Sequence, residues 1–422
     1  MIEASTKAIL ESLFDAAVAA ADPRQAMAAH LPPRPEGRTV VIGAGKGSAQ
    51  MGAAFEDLWD GPIDGVIVTR YGYASPCRHL RVLEAAHPVP DAAGLDATAA
   101  LLSAVADLTA DDLVIALISG GGSALLPAPP GALSLADEAA LNAALLASGA
   151  PIAAMNAIRK QVSRIKGGRL AAAAHPAKVV SLIVSDVPGD NPAEVASGPT
   201  IADKRDRALA LRLVENYRID LPPAVAAHLA DAAEDAPRPE DQSFARDEVQ
   251  VVASARLSLE AAAQLAEAQG IPAVILSDAI EGEARDVGLV HAAIAREIAT
   301  RDRPHKRPVV LLSGGETTVT LRGKPGRGGR NTEFLLSLAS ALDGTAGITA
   351  LAADTDGIDG SEDNAGAFAD GTTATQMRVA GIDPARALAG HDAWTAFDAT
   401  GDLFVPGPTG TNVNDFRAIL IR

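Results

Sequence analysis

The chain has a single cysteine, Cys77, in 422 residues. That excludes an intrachain disulfide and any zinc site built from cysteines. Aromatic residues make up only 3% against 48% hydrophobic residues, so the core must be assembled from Ala, Val, Leu and Ile. Basic residues are outnumbered as well, 36 Lys and Arg against 53 Asp and Glu, for a formal net charge of -17. Such a balance argues against nucleic acid or an anionic membrane as partner. No uncharged run is long enough to cross a bilayer. The N-terminal MIEASTKAILESLFDAAVAAADP is interrupted by Glu3, Lys7, Glu11 and Asp15, which suits an amphipathic helix and not a secretory leader. A soluble cytoplasmic protein with small-molecule partners is expected, with a homodimer as the candidate assembly.

What the chain does have is glycine in particular places. The apolar runs LVIALISGGGSALL (Leu113–Leu126) and PVVLLSGGETTV (Pro308–Val319) each end in serine followed by a glycine cluster. A third run, TVVIGAGKGS (Thr39–Ser48), ends in a glycine turn that carries a lysine. Each reads as a buried parallel strand opening into a tight turn, where α/β sheets hold phosphate and carboxylate groups. Strand-like runs at Gly65–Thr69, Leu80–Ala85, Val179–Val184, Val249–Ala253, Ala273–Leu276 and Ile348–Ala352 alternate with helical patterns such as Asp91–Leu108 and Glu283–Thr300. This alternation predicts an α/β protein of two domains, with a Rossmann-like parallel sheet covered on both faces in the N-terminal one. The expected division is 1–240 and 241–422, with the polar, Pro-rich stretch Asp231–Arg246 as linker or surface loop and the active site in a cleft between the domains.

Several residue sets suit phosphate chemistry. Gly43-Ala-Gly45-Lys46-Gly47-Ser48 is neither a P-loop, since Gly47 separates lysine from serine, nor a dinucleotide fingerprint, whose third glycine is replaced by Ser48. It leaves Lys46 at a strand end as an anion contact. Ser119, Gly120, Gly121, Gly122 and Ser123 read either as a nest for nucleotide phosphates or as a close helix–strand crossing. Gly314 and Gly315, next to Glu316, are a weaker version of the same pattern. In NAIRKQVSRIKGGRLA, Arg159, Lys160, Arg164, Lys166 and Arg169 form either an anion-facing patch or a solvated helix face. Asp186 and Asp190, and then Asp354, Asp356 and Asp359, follow strands. They are ordinary turn residues, or carboxylates for Mg²⁺ shared with substrate phosphates. Arg330 sits among glycines, and Asn412, Asn414 and Asp415 lie in a polar tail loop.

GAGKGS, SGGGSALL, NAIRKQVSRIKGGRLA, SDVPGDNPAEVASGPT, SGGETTV, GRGGRNTEF, DTDGIDG and GPTGTNVNDF occur in that order. Together they resemble the type II glycerate kinases, the glycerate 2-kinase family with a glycine-rich N-terminal domain and a MOFRL C-terminal domain. The resemblance covers nearly the whole chain, and Phe416 stands where the family commonly has Leu. It implies ATP-dependent phosphorylation of D-glycerate to 2-phosphoglycerate with Mg²⁺. It also implies that Lys46 and Arg330 flank the phosphoryl group, with Asp190 or Asp186 orienting the nucleophile or metal. Ser119–Ser123, with Gly314 and Gly315, would hold ATP phosphates, and Asp354 and Asp356 the metal. Arg159, Lys166, Glu316, Asn412 and Asn414 are the expected substrate contacts. Proteins of this type are often called hydroxypyruvate reductase. Among the histidines only His87 is placed for that NAD(P)H chemistry, and it also reads as a structural residue at a strand end.

Overall fold

Six apolar runs form one sheet: β1 (Thr39–Ala44), β2 (Asp64–Arg70), β3 (Arg81–Ala85), β4 (Leu113–Ile118), β5 (Lys178–Val184) and β6 (Glu248–Ala253). Their order is β3-β2-β1-β4-β5-β6, and the pairings from β3 through β5 are parallel. Every residue of β1 and β4 is buried, which is why both read as unbroken apolar runs instead of alternating ones. The chain runs outward from β1 through β2 to β3, then returns to the other side of β1 with β4 and β5. That reversal makes the carboxyl ends of β1 and β4 a topological switch point, the place where open α/β sheets bind ligands.

The computed structural model describes residues 2–231, 235–321 and 323–422. These fall into two units, Pro23–Val252 and a composite of Met1–Asp22 with Ala253–Arg422. The composite unit holds β7 (Ala273–Ser277), β8 (Gly282–Glu283), β9 (Val309–Gly315), β10 (Thr317–Thr318), β11 (Ile348–Asp354), β12 (Gly366–Asp370), β13 (Leu403–Phe404) and β14 (Asp415–Ile421). Its six-stranded sheet, β13-β12-β11-β14-β9-β7, is antiparallel except for β7 against β9.

Alternation along β9, β11 and β14 divides this second core. Val309, Leu311, Ala350, Ala352, Ile419 and Ile421 belong to one buried cluster, and Val310, Leu312, Leu351, Ala353, Ala418 and Leu420 to another. Residues of the helices Ala284–Arg301 and Arg330–Ala341 complete the first cluster. Those of Ala4–Ala20 and Ala255–Ala268 complete the second. The opening helix therefore sits with residues far away in sequence. Leu10, Leu13, Phe14 and Ala17 are buried, and Phe14 meets Phe404 and Phe416 edge-on at 5.1 and 5.8 Å.

Of the expected linker Asp231–Arg246, residues 232–234 lie outside the described residues. The remainder packs within the Pro23–Val252 unit: Ala236 N donates to Gln161 Oε1 at 3.2 Å, and Arg246 to Ala110 O at 3.0 Å.

Candidate functional site

In the Pro23–Val252 unit the switch point carries Lys46. Its turn is tied to the one after β4: Lys46 N donates to Gly120 O at 2.8 Å, and Gly47 N to Ser119 Oγ at 2.9 Å. Ser48 Oγ donates to Leu117 O at 2.9 Å, so the hydroxyl standing where a dinucleotide fingerprint has glycine is spent on β4. Ser119 is buried and acts on the lysine loop through these bonds. Lys46 is half-buried, and among the described residues it enters no ion pair.

The three glycines are explained by close approach. A Cβ on Gly120 would stand 1.7 Å from Asp186 Oδ2, and one on Gly122 would stand 2.7 Å from Ala196 Cβ and 2.9 Å from Ala44 O. Gly121 has φ +79°, and a Cβ there would meet Lys46 Cγ and Cε at 3.0 Å and His87 Nε2 at 3.3 Å. Glycine thus brings the Asp186 carboxylate, Lys46 and His87 around one turn. Asp190 follows Asp186 on the loop after β5, with φ +53° and its N–H on Val187 O at 3.1 Å.

A hydrogen-bond chain leaves this turn. Ser123 Oγ meets Ser197 Oγ at 2.8 Å, Ser197 Oγ donates to Asn156 Oδ1 at 3.1 Å, and Arg159 donates to the same oxygen at 3.1 Å. Arg159 also binds Asn142 Oδ1 at 2.8 Å, and burial lowers its pKa. The rest of the basic patch is not gathered there. Lys166 is buried with Nζ on Glu138 Oε1 at 2.7 Å, and Lys160 is fully buried against Asp203 and Glu194 at 2.5 and 3.4 Å. Both lysines are locked in internal ion pairs.

The composite unit gathers its own set around Arg330, the first residue of the helix Arg330–Ala341. Asp359 fixes that helix end by accepting from Asn331 N and Thr332 N, both at 2.9 Å. The Arg330 guanidinium donates to Asp415 Oδ1 at 2.6 Å, Asp354 Oδ2 at 2.5 Å and Glu316 Oε1 at 2.8 Å. Burial opposes its charge, but Asp415, Asp354 and Glu316 together raise its pKa. Asp415 also accepts from Asn331 Nδ2 at 2.9 Å, from Thr317 and from Arg417. Arg417 is fully buried in β14, and its Nε has no hydrogen-bond partner among the described protein atoms. Arg417 lies outside the motifs that the sequence singles out. Its signal was a lone arginine inside the apolar run FRAILI.

Burial pushes Asp354 well above the usual carboxylate range, with Asp356 and Asp415 adding to the effect against the pull of Arg330. Asp356 holds Asn412 Nδ2 at 3.1 Å, and Asn412 Oδ1 takes Asn414 N at 3.0 Å. Arg330, Glu316, Asp354, Asp356, Asn412 and Asn414 therefore lie in one network. Gly314 and Gly315 serve packing: Gly314 O accepts Ile280 N at 3.1 Å, and a Cβ on Gly315 would fall 2.2 Å from that nitrogen.

No group of three or more His, Cys, Asp or Glu side chains able to hold a metal ion is present among the described residues. Two neighbouring carboxylates, Asp354 and Asp356, suit Mg²⁺ only when phosphate oxygens and water supply the other ligands. That fits an ion arriving with a nucleotide.

Residues 9–230 match the domain of unknown function DUF4147, and residues 309–415 match the MOFRL family. An Agrobacterium vitis protein with a provisional hydroxypyruvate reductase name is 53% identical over 99% of this chain and 95% of its own. A D-glycerate 2-kinase of Thermotoga maritima is 37% identical over 99% of both chains. The crystal structure of a Thermotoga maritima glycerate kinase superposes with a TM-score of 0.91 at 36% identity, covering 100% of each chain. The chain, which joins a DUF4147 match to a MOFRL match, belongs to the glycerate 2-kinase family.

Proposed function

We infer that this protein phosphorylates D-glycerate at the 2-hydroxyl, with MgATP as phosphoryl donor. The observation that carries the reading is its likeness, along the full length of both chains, to a D-glycerate 2-kinase. The charge inventory is consistent with it. Phosphoryl transfer calls for positioning and charge neutralisation and needs little covalent work from the protein.

In this reading Lys46 is the candidate phosphate-neutralising cation of the Pro23–Val252 unit, and Arg330 that of the composite unit. Lys46 is free of internal ion pairs among the described residues, and Arg330 is held by three carboxylates. Asp186 or Asp190 accepts the proton from the 2-hydroxyl as its oxygen attacks the γ-phosphorus, and ADP departs. Asp354 and Asp356 would hold the Mg²⁺ that accompanies ATP, and the ion would spread the phosphate charge. Arg159, Glu316, Asn412 and Asn414 remain candidates for contacts to the substrates.

The reductase name fits these residues less well, because Ser48 occupies a fingerprint glycine position and is bonded to β4. One pair of assays decides the matter. Purified protein with D-glycerate and MgATP should release ADP and 2-phosphoglycerate, and with hydroxypyruvate and NADH it should leave NADH unchanged. NADH consumption without ADP release reverses the assignment.

A further inference from the structure

Lys46, Arg70 and His87 stand at the carboxyl ends of the adjacent strands β1, β2 and β3: Arg70 is the last residue of β2, and Lys46 and His87 each lie two residues past a strand end. All three are half-buried. Acids outnumber bases in this chain, yet among the described residues neither Lys46 nor Arg70 enters an ion pair. The Arg70 guanidinium carbon lies 4.2 Å from the centre of the Tyr73 ring. Stacking of that kind uses the face of the fork and leaves its in-plane N–H groups for an anion. His87 Nε2 and the Lys46 chain both border the space above Gly121, which any side chain at that position would fill. Burial, then the charges of Lys46 and Arg70, lower the His87 pKa to about 4, so its ring is neutral near pH 7. A neutral imidazole both donates and accepts, as an alcohol requires, whereas an imidazolium only donates.

We propose that Arg70 and His87, beside Lys46, form the subsite for the three-carbon hydroxy acid, Arg70 taking its carboxylate and His87 a hydroxyl. The proposal rests on the kinase reading above. It leaves Lys46 for the phosphoryl group and assigns specificity to two residues that the family motifs quoted above do not contain.

The test is steady-state kinetics of Arg70→Met, Arg70→Lys, His87→Leu and His87→Gln, with D-glycerate and MgATP varied in turn. The expected result is a KM for glycerate raised tenfold or more in both Arg70 variants and in His87→Leu. His87→Gln, which still donates and accepts, should recover most of that loss. The KM for MgATP should change less than twofold throughout. An unchanged glycerate KM, or a rise confined to MgATP, overturns the proposal; the latter would assign the site to nucleotide phosphate. Thermal melts identify any variant that fails to fold, and Arg70→Lys keeps the charge should Arg70→Met be that variant. Titration of the native chain and Arg70→Lys with glycerate alone separates the two readings. Should the native chain release no ADP, the kinase reading fails, while weaker glycerate binding in the variant upholds the subsite and equal binding overturns it.

Discussion

Arg330 Nε donates to Asp415 Oδ1 at 2.6 Å, and the other oxygen of that carboxylate receives Arg417. Asp415 is 2% exposed. Burial works against its charge, but the two guanidinium groups hold its pKa below the usual carboxylate range. Asp415→Asn keeps the shape and removes the charge between two cations, Arg417 buried and Arg330 half-buried. Breaking a buried pair in this way costs about 3–5 kcal/mol. Loss of an aimed electrostatic group lowers kcat by about 10²–10³-fold. The two tryptophans are Trp59 and Trp394, so a Trp59→Phe background reports unfolding of the composite unit by fluorescence. Unchanged stability and turnover would show that Arg330 is held by Asp354 and Glu316 alone.

Gly120 and Asp186 make a second testable contact. A methyl group at residue 120 would overlap the carboxylate, whereas one at Gly189 meets nothing within 4 Å. Gly120→Ala is expected to lower kcat by about 10²-fold by displacing Asp186. Gly189→Ala, strained only by its φ of +78°, should leave kcat near the native value. Equal kinetics for the two variants would remove Asp186 from the chemistry.

Lys166 was a substrate candidate on its sequence neighbourhood, and its buried bond to Glu138 makes a different prediction. Lys166→Met strands a buried carboxylate and should destabilise the Pro23–Val252 unit by about 3–5 kcal/mol, while Lys166→Met with Glu138→Gln recovers most of the loss. The glycerate KM of the folded protein should stay unchanged. A KM rise without loss of stability would return Lys166 to the substrate.

These cases show what the sequence could reveal. Strands ending in glycine turns were legible because apolar runs and glycines are local signals, and the strands appear where those runs lie. The work done by each glycine was not legible, because Gly120 answers to Asp186 and Gly122 to Ala196, each more than sixty residues away. For the same reason the acid partner of Lys166 was hidden. The β12 strand GAFAD is short and opens on glycine, and β14 carries Arg417 in its apolar run, so neither reads as an ordinary strand. Most of the second sheet is antiparallel, which a strand–helix alternation does not announce. The opening helix shows its apolar face in the sequence, but not that Phe404 and Phe416 receive it.

His291 gives a prediction about pH. It is 3% exposed, with Nδ1 2.8 Å from Val287 O, Nε2 3.0 Å from Ser313 Oγ, and its ring edge-on to Phe334. Burial lowers its pKa to about 4, the Val287 carbonyl pulling the other way and the charge of Arg417 adding to the fall. In the unfolded chain the same ring titrates near about 6.5. As pH falls the unfolded state therefore takes up the proton first, so stability is full above about 6.5 and is lost as pH drops towards about 4. Between pH 7 and pH 5 the loss attributable to His291 is about 2 kcal/mol. Asp415 titrates in the opposite sense: its lowered pKa contributes stability above the unfolded carboxylate range, lost only at more acidic pH, so the two windows are separate. His291→Gln keeps a polar side chain without a proton to gain. Denaturant melts of the composite unit at pH 7, 6 and 5 should show a shallower decline in this variant than in the native chain. Parallel declines would mean that the imidazole is already protonated in the folded protein, contrary to its packing against Phe334 and its proximity to Arg417.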